Sequence, residues 1–324
     1  MNQTKIKKIS EMPISVTPMK NGFGKGLSEI GDKYNNLIAL GSDITNSVGM
    51  NFFKDKFPDR FFSLGIAEQN TAAVAAGLAL SGKIPVFSTY AVFSAMRAAD
   101  QIRISLCYNK LHCIIGGAHA GISVGPDGAT HQALEDIAVM RSLPNMTVLS
   151  PCDENQTKLA TIAAIKQLNS PVYIRYGREP VPNFTSTDDE FIIGKAQILQ
   201  EGKDISIIAT GTMVWTAITV AKELQKSEFS ADVINIHTIK PIDKNTIIKS
   251  AKKTGKVITL EEHQIHGGFG SAVAEVIVQN HPVKMKIIGM PDSFGESGNP
   301  KELLEKYHLD QKSILQNCLN FLNE

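Results

Sequence analysis

From residue 36 onward, short runs rich in β-branched and apolar residues alternate with helical stretches, and the alternation begins afresh after residue 190. A parallel strand pair needs a crossover long enough to hold a helix, so this alternation predicts α/β architecture: mostly parallel sheets flanked by helices. The first set of predicted strands is 36–43, 84–90, 111–118, 146–151 and 171–177, with helices at 69–81, 92–107, 132–142 and 154–168. A second set of strands is predicted at 205–211, 231–239, 256–262 and 285–290. Between the sets, REPVPNFTSTDDE at 178–190 has turn residues and acids but no apolar periodicity, which reads as a linker. The expected organisation is therefore an N-terminal extension (1–19), a first domain (20–178), a linker (179–190) and a smaller second domain (191–324).

Bulk properties agree with two cores. The chain has 324 residues and is 43% hydrophobic, more than one core of about 250–300 residues usually holds. Its 33 basic and 32 acidic residues nearly cancel, so no broad field favours nucleic acid or an anionic membrane, and any phosphate must be recognised locally. Cys107, Cys113, Cys152 and Cys318 show no CxxC spacing, as expected of reduced, buried thiols in the cytoplasm. Lys5, Lys7 and Lys8 make the N-terminus basic, but no apolar run follows them and export is not expected. The run TAAVAAGLAL at 71–80 is about half the ~20 residues that span a membrane. Being apolar all round, it predicts a helix with no solvent face.

In open α/β sheets ligands gather outside the carboxyl ends of the strands. Five loops of the first domain carry unusual chemistry there: GSDITNS (41–47), GIAEQN (65–70), STYAVF (88–93), AHAGISVGPDGATHQ (118–132) and YGREP (176–180). Glu68 stands at a helix start, either as a cap or as a proton-handling carboxyl wedged between Leu64, Ile66 and the small-residue helix, where apolar surroundings favour a shared proton. Tyr90 and Met96 lie one helical turn to either side of Phe93. His119, Asp127 and His131 share a Gly-rich loop with no cysteine nearby, which argues against zinc. Along VYIRYGR, alternation puts Tyr173 and Arg175 on one face, so Arg175 is either a structural partner or a rival to Arg178 for a phosphate.

GIAEQN, STYAVF, VGPDGATHQ and a late YGR, in this order, resemble the pyrimidine-binding domain of the transketolase family, and EEHQIHGGFGSAVAE (261–275) is similar to its C-terminal domain. The resemblance implies thiamine diphosphate as cofactor. It gives Glu68 the central role, a carboxyl at the pyrimidine ring nitrogen that shifts a proton across the ring, with Phe93 stacking on that ring and Tyr90, Met96 and Asp43 around it. By the same resemblance His119, Asp127, His131, Arg178, Ser47 and Lys20 meet the sugar phosphate, and His131 is a second catalytic candidate near the reacting carbon. Two positions depart from the family pattern: Lys20 stands where relatives place an arginine, and Pro126 where they place a glutamate.

The family's Mg²⁺ site, Gly-Asp-Gly followed some thirty residues later by asparagine, has no counterpart in this sequence. No metal ligand is therefore expected on this chain. The resemblance implies the second half of a split transketolase, whose partner chain carries the diphosphate and Mg²⁺ domain, with a heterotetramer of two copies of each chain as the expected closed assembly. The implied reaction moves a two-carbon ketol unit from a ketose phosphate to an aldose phosphate. Rival readings are a subunit resembling deoxyxylulose-phosphate synthase or the β chain of a 2-oxo acid dehydrogenase, and a non-catalytic subunit of the same fold.

Overall fold

The computed structural model describes residues 15–324, so Lys5, Lys7 and Lys8 and most of the expected extension lie outside the described residues. Fourteen strands are described: β1 Val16–Pro18, β2 Leu37–Gly41, β3 Phe61–Ser63, β4 Ile84–Tyr90, β5 Ile114–Ala118, β6 Thr147–Leu149, β7 Val172–Arg175, β8 Pro180–Pro182, β9 Gln197–Gln200, β10 Ile205–Ala209, β11 Ala231–Asn235, β12 Thr238–Lys240, β13 Lys256–Gln264 and β14 Lys284–Met290. The first sheet runs β12-β6-β7-β5-β4-β2-β3 and is parallel except for β12. The second runs β14-β13-β10-β11-β9, with only β9 antiparallel. Central strands β2, β5, β7, β10 and β11 are buried at every residue. Burial on both faces explains why they read as unbroken apolar runs rather than as alternating ones.

Helices Met19–Ile30 and Glu154–Gln167 pack against each other on one face of the first sheet. They approach so closely that a Cβ added at Gly22 would stand 2.0 Å from the Glu154 carbonyl oxygen. All four cysteines are buried and unpaired. No helix among the described residues is long and apolar enough to cross a membrane.

Three expectations about elements are corrected. The stretch 231–239 is not one strand: β11 stays in the second sheet, while β12 crosses over and pairs antiparallel with β6 of the first. Ile236 and His237 make the crossing, with the His237 ring buried against Phe191 at 4.1 Å between centroids. The segment 179–190 is also more than a connector. Strand β8 within it pairs with β1, and Asp153 accepts hydrogen bonds from the Phe184 and Thr185 amides at 3.0 and 2.8 Å. Finally, the helix Glu68–Leu80 does have a solvent face: it buries Glu68, Thr71, Ala72, Ala75 and Ala76 and leaves Leu80 73% exposed. A helix apolar all round need not be enclosed by its own chain.

The domains meet in a buried polar seam. Arg175 donates from Nε to Asp136 at 2.9 Å and from Nη2 to the Glu262 carbonyl at 2.8 Å, while the Tyr173 hydroxyl donates to the same Asp136 at 2.8 Å. Tyr173 and Arg175 thus share a face, and Arg175 is the structural partner rather than a free phosphate ligand. Nearby, the Glu261 carboxyl is pushed up to about 7 by burial despite accepting the Phe269 and Gly270 amides at a helix N-terminus. Burial holds the His263 imidazole down at about 4.

Candidate functional site

The carboxyl ends of β2, β4, β5 and β7 bring the polar loops together beside the helix that Glu68 opens. Tyr90 ends β4, and its ring stacks on His119 at 4.5 Å with 16° between planes. His131 stands edge-on to both Tyr90 (5.7 Å) and Phe93 (5.3 Å), and Phe93 lies 6.0 Å from Tyr90. Four residues singled out from sequence therefore form one ring cluster.

Glu68 is 2% exposed, yet its surroundings are not the apolar pocket expected from sequence. Ile66, expected as a wall, is 75% exposed. The carboxylate faces Arg97, whose Nη1 donates to Oε2 at 2.9 Å, while the Thr89 hydroxyl reaches Oε1 at 3.4 Å. The helix end therefore gets no cap from this side chain. The same guanidinium lies 4.3 Å over the Phe93 ring. Arg97 stands four residues after Phe93, the spacing at which helical side chains meet, but its pairing with Glu68 depends on how two separate helices lie; 93–97 is π-helical, with the Ala98 amide bonded to the Phe93 carbonyl five residues back. Met96, expected one turn away in the pocket wall, is 48% exposed.

His119 follows β5 with φ +54°. Its Nε2 is 3.1 Å from the Ser47 carbonyl oxygen, which can only accept, so Nε2 carries the proton and Nδ1 the lone pair. Nδ1 is buried without a hydrogen-bond partner. Burial first, then the nearby Arg178 and Lys20 charges, hold this imidazole down at about 4, so it is a neutral acceptor at pH 7. Lys20 donates to the Asn46 carbonyl at 3.1 Å, on the same loop as Ser47. Arg178 lies 3.3 Å from Asp127 and donates to the Val124 carbonyl at 2.7 Å. His131 Nδ1 is 2.9 Å from the Thr130 hydroxyl. Asp43 accepts a hydrogen bond from the Ser63 hydroxyl at 2.7 Å. Among the described residues no three His, Cys, Asp or Glu side chains cluster as metal ligands.

A flat face, a buried carboxylate beside it and an unpaired imidazole lone pair suit a planar nitrogen heterocycle with a polar substrate next to it. Two family models match the chain, "Transketolase, pyrimidine binding domain" over residues 16–183 and "Transketolase, C-terminal domain" over residues 194–314. The chain belongs to the transketolase family. The 6-deoxy-6-sulfo-D-fructose transketolase subunit of Clostridium sp. (strain MSTE9) is 40% identical over 90% of this chain and 90% of that protein. An apulose-4-phosphate transketolase subunit of Phocaeicola vulgatus is 37% identical over 94% of this chain and 97% of that protein. A solved structure described as a split gene transketolase, an inactive β4 tetramer, superposes with a TM-score of 0.88 at 43% identity, covering 95% of this chain and 99% of that one. These three relatives are thus themselves named as subunits or a split-gene product.

Proposed function

We propose that this chain is the C-terminal subunit of a two-chain, thiamine diphosphate-dependent transketolase, which moves a two-carbon ketol unit from a ketose phosphate to an aldose phosphate in the cytoplasm. The observation that carries the reading is the pair of contacts made by Arg97. A planar group with N–H donors already satisfies Phe93 and Glu68 together, which supports the fit of an aminopyrimidine to the same two handles. When bound, the cofactor supplies the electron sink for the two-carbon fragment.

The chain's own residues orient and move protons. Phe93 offers its ring face to the aminopyrimidine, and Tyr90 and His131 pack around it and exclude water. Glu68 holds the proton shared with a pyrimidine ring nitrogen. His119, neutral and with Nδ1 unpaired, accepts from a substrate hydroxyl. Arg178 and Lys20 neutralise the phosphate, and Asp127 orients a hydroxyl while limiting the motion of Arg178. Ser47 joins the phosphate side through the loop that also anchors His119.

The diphosphate and Mg²⁺ belong to a partner chain in this reading, with two copies of each chain in the assembly. Apolar Phe62, Ile66 and Leu80, exposed around the helix that Glu68 opens, support such a partner. The test is Glu68→Ala in the assembled enzyme, read as exchange of the cofactor's C2 proton by NMR. Exchange is expected to fall by roughly 10²–10⁴-fold, the usual contribution of a placed acid or base. Exchange at the wild-type rate would overturn the role of Glu68.

A further inference from the structure

The loop between β5 and the helix Asp136–Ser142 carries His119, Asp127 and His131, and within it Gln132 donates to the carbonyls of Ile122 and Gly125. Its short helical turn Ile122–Asp127 starts after Gly121 at φ +94° and receives no side-chain cap from Gly121. The cap comes from the other domain. Glu262, at 3% exposure, accepts the Ser123 amide on Oε1 at 2.5 Å, and on Oε2 it accepts the Thr212 hydroxyl at 2.8 Å. Its backbone carbonyl holds Arg175. A Cβ at Gly121 would stand 2.4 Å from Glu262 Oε1, so loop and carboxylate fit each other closely.

One residue beyond Ser123, the Val124 carbonyl holds Arg178, which in turn pairs with Asp127. On the far side of the loop, Gln132 donates to the carbonyls of Ile122 and Glu296, the latter again from the second domain. The substrate loop is therefore held by its own Gln132 and by second-domain groups, and among the second-domain groups in these contacts Glu262 offers the only acidic side chain.

We propose that Glu262 is a positioning residue: from the second domain it sets the course of the 121–127 turn, and through it the places of Arg178 and Asp127, so that the second domain determines affinity for the phosphorylated sugar. The proposal rests on the reading of this loop as the substrate loop. Removing a charge-assisted hydrogen bond from a buried amide displaces the loop, but leaves Glu68 and Phe93, on other elements, where they are.

The test uses the assembled two-chain enzyme with fructose 6-phosphate or xylulose 5-phosphate as donor, whichever the wild type turns over. Glu262→Ala is expected to raise donor KM roughly tenfold or more, the equivalent of one charge-assisted hydrogen bond. Its kcat and cofactor Kd should stay within about threefold, and Glu262→Gln, which keeps the shape and one acceptor oxygen, should restore most of the KM. An assembled Glu262→Ala enzyme with unchanged KM overturns the proposal, as does a fall in kcat and cofactor affinity with KM unmoved. Should Glu262→Ala fail to assemble, Glu262→Asp decides: it keeps the charge but stops one methylene short of Ser123, so the same KM rise is expected. Loss of assembly in both variants makes Glu262 a folding residue and also overturns the proposal. Arg178→Ala separates this from failure of the functional reading. If it too leaves KM unchanged, or if neither donor is turned over, the substrate loop is misassigned and the proposal falls with it.

Discussion

Replacing Arg175 with methionine separates a structural arginine from Arg178, the arginine proposed to meet the substrate phosphate, which follows it in the same short segment. The Arg175 guanidinium is 5% exposed and makes four hydrogen bonds, two to Asp136 and one each to the carbonyls of Ala133 and Glu262. Methionine fills much of the volume but leaves the Asp136 carboxylate, 1% exposed, with only the Tyr173 hydroxyl. Breaking one side of a buried pair costs about 3–5 kcal/mol, because the remaining charge stays desolvated and uncompensated. At about 2–4 °C per kcal/mol for domains of this size, the melting temperature should drop by roughly 6–20 °C. Asp136→Asn combined with Arg175→Met removes the stranded charge and should recover at least about 1 kcal/mol over Arg175→Met alone. Calorimetry and urea unfolding of the lone chain measure both. A loss below about 1 kcal/mol for Arg175→Met, the value of a surface pair, would refute the structural assignment. So would a double variant no more stable than Arg175→Met.

Arg97 holds the two handles proposed for the aminopyrimidine, so Arg97→Leu in the assembled enzyme is expected to tighten cofactor binding by up to about fivefold, the value of one partly exposed ion pair. Titration calorimetry reads it, and weaker binding would show that Arg97 assists rather than competes. Acid should destabilise the chain before its carboxylates titrate. His119, His237 and His263 are held near 4, chiefly by burial, so the unfolded chain takes up protons around 6.5 that the folded chain refuses. The stability these imidazoles give is present above pH 6.5 and is lost as pH falls toward 4. Glu261, raised to about 7, acts in the opposite sense, its contribution being full below 4.5 and lost as pH rises through 7. Three imidazoles outweigh one carboxyl, so the urea midpoint should be lower at pH 5 than at pH 7; an equal or higher midpoint refutes this balance.

The α/β alternation, two domains and the ring cluster are legible in the sequence because each rests on local pattern. Unbroken apolar runs mark strands covered on both sides, and GIAEQN, STYAVF and the loop at 118–132 carry Glu68, Tyr90, Phe93, His119 and His131 to neighbouring strand ends. Side-chain alternation even places Tyr173 and Arg175 on one face, though it does not say which of Arg175 and Arg178 is enclosed. Burial depends on the second domain lying over that face, which no local pattern encodes.

What the sequence determined by itself was which residue types stand at the ends of the strands, since strand and motif spacing are properties of the chain. Tertiary structure alone decided the company they keep. Arg97 reaches Glu68 from another helix, β12 leaves its own sheet for its neighbour's, and Glu262 caps a loop 139 residues away. Each depends on where distant backbone groups come to rest, and hydrogen bonds form with whatever donor or acceptor is there, however far it lies along the chain.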